Sequence, residues 1–189
     1  MRLSGGGLFG IAIAVAVGAL LSACAGGSAP TPTPVSQLLV AGLAAETAGQ
    51  TQAAIDDFQA VLKQDPGNKY ALYNLGLISD QQQHNTVAGE ADYRAALISD
   101  PNYVPALFNL AILRTAAAPY EAIDLYRHVI AVQASYAAAH LNLGYVLRAL
   151  GQTSEGNAEI ATAVSMQPSL AATANATSSA KASASPTAH

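Results

Sequence analysis

The chain is poor in the residues that anchor most cores and most active sites. Of 189 residues none is Trp, three are Phe, and one is Cys. Charged residues make up 11 % of the total. A single cysteine excludes an intrachain disulfide framework and any cysteine-rich zinc site. Eight Lys and Arg against 12 Asp and Glu give a net charge of −4, and no basic block occurs anywhere, which argues against nucleic acid as a partner. Alanine supplies what is plentiful: 42 residues, or 22 %, so the positive mean hydropathy of +0.27 says little until its distribution is known.

The apolar residues at the start are concentrated in Leu8 to Leu21, LFGIAIAVAVGALL, behind the lone basic side chain Arg2. Fourteen residues fall short of the ~20 needed to span hydrocarbon and suit the apolar region of an export signal. The run ends in Leu21-Ser22-Ala23-Cys24, which resembles the lipobox of bacterial lipoproteins. That resemblance implies a signal peptide over residues 1–23 and a lipid-modified Cys24 as the new N-terminus, on the extracytoplasmic side of a cell membrane. An uncleaved membrane anchor is the alternative reading of the same run. Two acyl chains would hold the protein stably, since each buried methylene contributes about 0.8 kcal/mol. Residues 24–34 follow as a linker, CAGGSAPTPTP, flexible in its Gly/Ser half and extended in its Thr-Pro half.

From residue 35 to 170 the chain repeats itself. Asp65 to Gly76 (DPGNKYALYNLG), Asp100 to Ala111 (DPNYVPALFNLA) and Gln133 to Gly144 (QASYAAAHLNLG) align without gaps, and a weaker copy ends at Gly42. The register positions Gly42, Gly76, Ala111 and Gly144 are about 34 residues apart. Phe58, Tyr93, Tyr126 and Ile160 recur at a matching place between them, and Pro66, Pro101 and Pro168 close three units. This pattern resembles the tetratricopeptide repeat, two antiparallel helices (A and B) per unit. The resemblance covers residues 35–170 as four repeats, at about 35–68, 69–103, 104–136 and 137–170. It implies an all-α, right-handed α-solenoid. Small residues at the register positions let helix A approach helix B closely, Gly49 and Gly151 suit left-handed turns after helix A, and Pro119 suits a first helical turn. Gly89 and Gly156 replace the usual helix B alanine and are expected to weaken their helices by about 0.5–1 kcal/mol each. Repeat 2 has one extra residue between its helices and repeat 3 one fewer. Residues 171–189, rich in Ala, Ser and Thr, are expected to form a disordered tail.

In such an array the A helices line a groove. The family's groove positions fall on Leu39, Val40 and Leu43 in repeat 1 and on Tyr73, Asn74 and Leu77 in repeat 2. In repeats 3 and 4 they fall on Phe108, Asn109, Ile112, Leu141, Asn142, Tyr145 and Arg148. The equivalent Asn74, Asn109 and Asn142 would form a ladder of amides able to bind an extended peptide backbone. The expected partner is thus an unidentified protein or peptide. A scaffold for an envelope, pilus or secretion complex, or an accessory to a cell-wall enzyme, is the alternative. No catalytic constellation is visible. His84, His128, His140 and His189 show no metal spacing, and His140 occupies a bulky core position. Asp56-Asp57 and Glu90/Asp92 read as solvated helix faces. Neither an enzymatic activity, a cofactor nor a metal is expected. Cys24→Ser should move the protein from the detergent phase to the aqueous phase of a membrane extract; unchanged partitioning would refute the lipobox.

Overall fold

The structure is a computed structural model that describes residues 32–174. The signal at 1–23, Cys24, most of the linker and the tail beyond residue 174 lie outside the described residues. Those described form helix pairs: α1 (Val35–Thr47) with α2 (Thr51–Gln64), α3 (Lys69–Leu77) with α4 (Thr86–Ser99), α5 (Val104–Ala117) with α6 (Pro119–Val132), and α7 (Ala137–Ala149) with α8 (Thr153–Met166). Each helix packs on the next in chain order, so the pairs stack into an all-α solenoid. None of the described helices is long and apolar enough to cross a membrane.

Local chemistry sets the helix ends. Asn68 and Asn85 cap α3 and α4, their side-chain oxygens accepting from the amides of Ala71 and Ala88 at 3.1 and 3.2 Å. Pro119 opens α6, where its missing N–H is not needed. Gly49 and Gly151 adopt φ of +71° and +85° in the A–B turns of repeats 1 and 4. Repeat 2 absorbs its extra residue differently. Helix α3 continues into a π-helical turn at Ile78–Gln82, and His84, at φ +53°, supplies the left-handed residue.

The contact inside each pair depends on a missing side chain. A Cβ on Gly42 would stand 2.7 Å from the Phe58 ring, and one on Gly76 would stand 2.7 Å from the Tyr93 ring. Those rings, with Tyr126, are at most 1 % exposed, and burying a large apolar side chain contributes about 1.5–3 kcal/mol. In repeat 4 the fit is tighter still. A Cβ on Gly144 would lie 2.6 Å from the carbonyl oxygen of Gly156, and one on Gly156 would lie 2.6 Å from that of Gly144. At Gly89 the obstacle is Asp80 Cβ, 2.8 Å away. Gly89 and Gly156 are therefore not mere weak points, as expected from helix propensity. They allow a backbone-to-backbone approach that alanine would block.

The array closes at its C-terminal end with a segment that runs past residue 170, where disorder was expected to begin. Pro168–Leu170 form a 3₁₀ turn, residues 171–174 are helical, and Ala174 is buried with Leu141, Ile160 and Ala163. This short segment covers the last apolar face, as the end of a stacked array requires.

Ion pairs tie helix B of one repeat to the next. Arg94 of α4 pairs with Glu121 of α6, and Arg127 of α6 pairs with Glu155 of α8 at 2.7 Å. Arg114 joins the first pair, bonding Glu121 at 2.8 Å and Glu90 at 3.0 Å.

Two outcomes follow from these contacts. Gly144→Ala should lower stability by about 1–3 kcal/mol through overpacking, although alanine is the better helix former; an unchanged melting temperature would contradict the close approach. Hydrogen bonds from Arg94 and then Arg114 hold the Glu121 carboxyl below its ordinary 4.5. A carboxyl whose folded value is depressed stabilises the fold fully above pH 4.5, and that gain is lost as pH falls through the lowered value. For so exposed a network the loss should stay within about 1 kcal/mol, and Glu121→Gln should remove that share of the acid sensitivity in thermal melts at low salt.

Candidate functional site

The groove residues divide into columns according to what helix A presents. Leu39, Tyr73, Phe108 and Leu141, each three residues before a register position, pack between repeats. Tyr73 lies between Tyr93 of its own repeat, tilted at 5.9 Å, and Tyr103 at the start of the next, edge-on at 5.5 Å. Phe108 repeats the arrangement with Tyr126 at 5.9 Å and Tyr136 at 4.9 Å. Such pairs add roughly 0.5–1.5 kcal/mol beyond the area they bury. Burial beside Tyr73 also pushes the Tyr103 hydroxyl up to about 12. Leu141, 5 % exposed, lies under the C-terminal segment, so it is closed to a partner, contrary to expectation.

The next column holds Val40, Asn74, Asn109 and Asn142. Val40 is well exposed, whereas Asn74 is buried and its amide donates to the Tyr70 carbonyl at 2.8 Å. The Asn109 amide donates to the Tyr73 hydroxyl at 3.1 Å. Asn142 reaches the Tyr126 hydroxyl; burial raises that hydroxyl's pKa, and hydrogen bonds from Thr115 and Asn142 counter the rise. The expected ladder is thus stitched into the fold: Asn74 is buried with its donor spent inside, and Asn109 spends a donor but keeps further capacity for a ligand.

The third column, Leu43, Leu77, Ile112 and Tyr145, is the most open to solvent at Leu43 and Ile112, each 46 % exposed. Leu77 packs against the buried cluster that holds Leu72, Tyr93 and Leu110. Arg148 does not join this face. It lies four residues after Gly144, on the stripe that meets α8, where its Cγ would stand 2.7 Å from a Cβ on Gly156.

Ile112, Asn142 and Tyr145 converge on a cavity of about 570 Å³ between repeats 3 and 4, with Thr115, Pro119 and Tyr126 completing its near wall. That volume lies in the range of ligand sites. Its surface is mostly apolar, and the Tyr145 hydroxyl is buried with no hydrogen-bond partner among the described residues. Sequence spacing indicated Ile112, Asn142 and Tyr145. It did not indicate Thr115, Pro119 or Leu150, which come from a turn and from helix ends carrying no repeat signature.

His140 is a core residue with polar partners. It is 7 % exposed, with Nδ1 at 2.6 Å from Glu159 Oε2 and Nε2 at 3.1 Å from the Ala134 carbonyl. Both ring positions are engaged inside the fold, so the histidine knits α7 to α8 and to the preceding turn. Among the described residues no three His, Cys, Asp or Glu side chains gather as a metal site.

The tetratricopeptide repeat family profile matches residues 39–104. No curated protein sequence matches the chain. Among solved structures, a crystal structure of MamA superposes with a TM-score of 0.64 at 20 % identity, covering 74 % of this chain and 82 % of that one. TTC0263, a thermophilic tetratricopeptide protein of Thermus thermophilus, superposes with a TM-score of 0.56 at 20 % identity, covering 71 % of this chain and 75 % of that one. A mutant of the Thermobaculum terrenum O-GlcNAc transferase matches 60 % of this chain at 25 % identity and TM-score 0.53, over 22 % of its own length. Two of this chain's repeats carry the tetratricopeptide signature, and the described chain has the all-α solenoid fold of tetratricopeptide-repeat proteins.

Proposed function

We propose that the chain is a protein–protein interaction module whose A-helix groove takes an extended segment of a partner protein, with the cavity between repeats 3 and 4 as its anchor point. The observation that carries this reading is that cavity. A bulky apolar side chain entering it would meet Ile112, Tyr126 and Tyr145 and remove apolar surface from water on both sides, which stabilises by about 25 cal/mol per Å². The partner's backbone would find the remaining hydrogen-bonding capacity of Asn142 and Asn109. Toward the N-terminal end Leu43 and Val40 extend the apolar face.

In this reading the lipobox at Cys24 supplies a lipid anchor at the extracytoplasmic face of a bacterial membrane, and the Thr-Pro linker holds the module off the headgroups. The array works by binding, with no chemistry of its own.

The reading is tested by affinity capture from detergent-solubilised membranes with the wild type and with Ile112→Glu, a half-exposed position whose change should leave the fold intact. A charge inside the groove should reduce recovery of the partner at least tenfold while the melting temperature holds. Equal recovery would move the binding surface off the groove. A single stoichiometric partner would favour an assembly role within an envelope complex, and many weakly held proteins would favour peptide capture.

A further inference from the structure

A second cavity, of about 400 Å³, opens between repeats 1 and 2 on the helix B side, away from the residues that form the groove. Its wall is polar where the other is apolar. Gln52 and Gln59 come from α2, Ser79 and Gln83 from the π-helical turn and the residue after it, and Asp92 from α4, over a floor formed by Ile78. Asp92 was expected on a solvated face. It is instead half-buried, its Cβ close against α3 at Gly76, and its carboxylate has no hydrogen-bond donor or basic side chain among the described residues. Burial without a partner raises its pKa above the ordinary 3.8. An acid raised in this way costs the fold stability near neutral pH and relieves that cost as pH falls through its raised value.

The repeat register explains what is absent here. At the two later junctions an arginine just after the helix B aromatic reaches a glutamate on the next helix B: Arg94 to Glu121 and Arg127 to Glu155. At the first junction the equivalent positions hold Gln59 and Ala88, so neither the guanidinium nor its carboxylate partner is supplied. The two repeats that frame the cavity are acidic in sum. Residues 35–92 carry seven acidic side chains (Glu46, Asp56, Asp57, Asp65, Asp80, Glu90, Asp92) against Lys63 and Lys69, a net of −5. Lys69 is itself held by Asp100 at 2.6 Å.

We propose that this cavity receives a guanidinium group, the arginine side chain of a partner protein, at the one junction of the three where the chain supplies no arginine after the helix B aromatic. The Asp92 carboxylate accepts two of its five N–H donors, and the side-chain oxygens of Gln52, Gln59, Gln83 and Ser79 are the acceptors for the rest. Gln52 already donates its amide to Asp56 at 2.9 Å, which leaves its oxygen free to accept. The site is separate from the groove and does not depend on the groove's role.

The test is a titration of the full chain in detergent micelles, followed by NMR or calorimetry, with N-acetyl-arginine amide, its neutral ureido counterpart N-acetyl-citrulline amide, and the tripeptide Ala-Arg-Ala. The arginine amide should bind saturably and at least tenfold more tightly than the citrulline amide, and Asp92→Asn should erase that preference. Asp124→Asn, at an exposed carboxylate on α6, and Ile112→Glu, in the groove, should leave it unchanged. Asp92→Asn should melt no lower than the wild type, because it removes a buried charge, so loss of binding cannot be ascribed to unfolding. Tighter binding of Ala-Arg-Ala than of the single amide is expected for a protein partner; equal or weaker binding would assign the cavity to small guanidines and overturn that source. No saturable binding, or equal binding by Asp92→Asn, would overturn the site.

Discussion

The close approach of helix A to helix B is the constraint on which the rest of this molecule depends. Phe58 and Tyr93 rest their rings on the bare backbone at Gly42 and Gly76, and α7 meets α8 with two glycine backbones nearly touching. A chain so rich in alanine and so poor in aromatics has few large side chains with which to fill a wide interhelical gap. It reaches interior density by narrowing the gap instead. The few large rings it does have are then placed where the narrowing makes a socket for them.

Once each pair is set at that spacing, the junctions between pairs follow. In repeats 2 and 3 the third residue before the small register position meets the next repeat, and there it finds an aromatic residue at the start of the following helix A. The Tyr73 and Phe108 triplets are this one contact made twice. On the helix B side the same repetition produces Arg–Glu bridges at two junctions, and the junction without one opens a polar cavity around Asp92. The two cavities of interest therefore have different origins. The apolar one is lined by helices α5, α6 and α7, and the polar one lies where a recurring ion pair lapses.

Much of this was legible in the residues themselves. The spacing of Gly42, Gly76, Ala111 and Gly144 marks the units, and Gly49, Gly151 and Pro119 occupy the backbone positions their chemistry suits. Equivalent asparagines were also visible by register, but their bonding was not. Whether Asn109 presents its amide outward or gives it to Tyr73 depends on a ring 36 residues away. Gly89 and Gly156 were misread for the same reason, because helix propensity measures a helix in isolation, and the backbone facing each glycine belongs to another helix.

Periodicity along the chain, a one-dimensional property, thus determined the number and register of the helical units, the places where the backbone turns, and the absence of a cysteine-rich or repeated-histidine ligand set. Tertiary structure alone decided which side chains are covered. Leu141 is closed off by residues 168–174, Arg148 lies toward α8, and Asp92 is drawn out of solvent by the junction beside it. Burial and cavity shape arise where three or more helices meet, and the residues that meet there are separated by tens of positions with no local pattern to connect them.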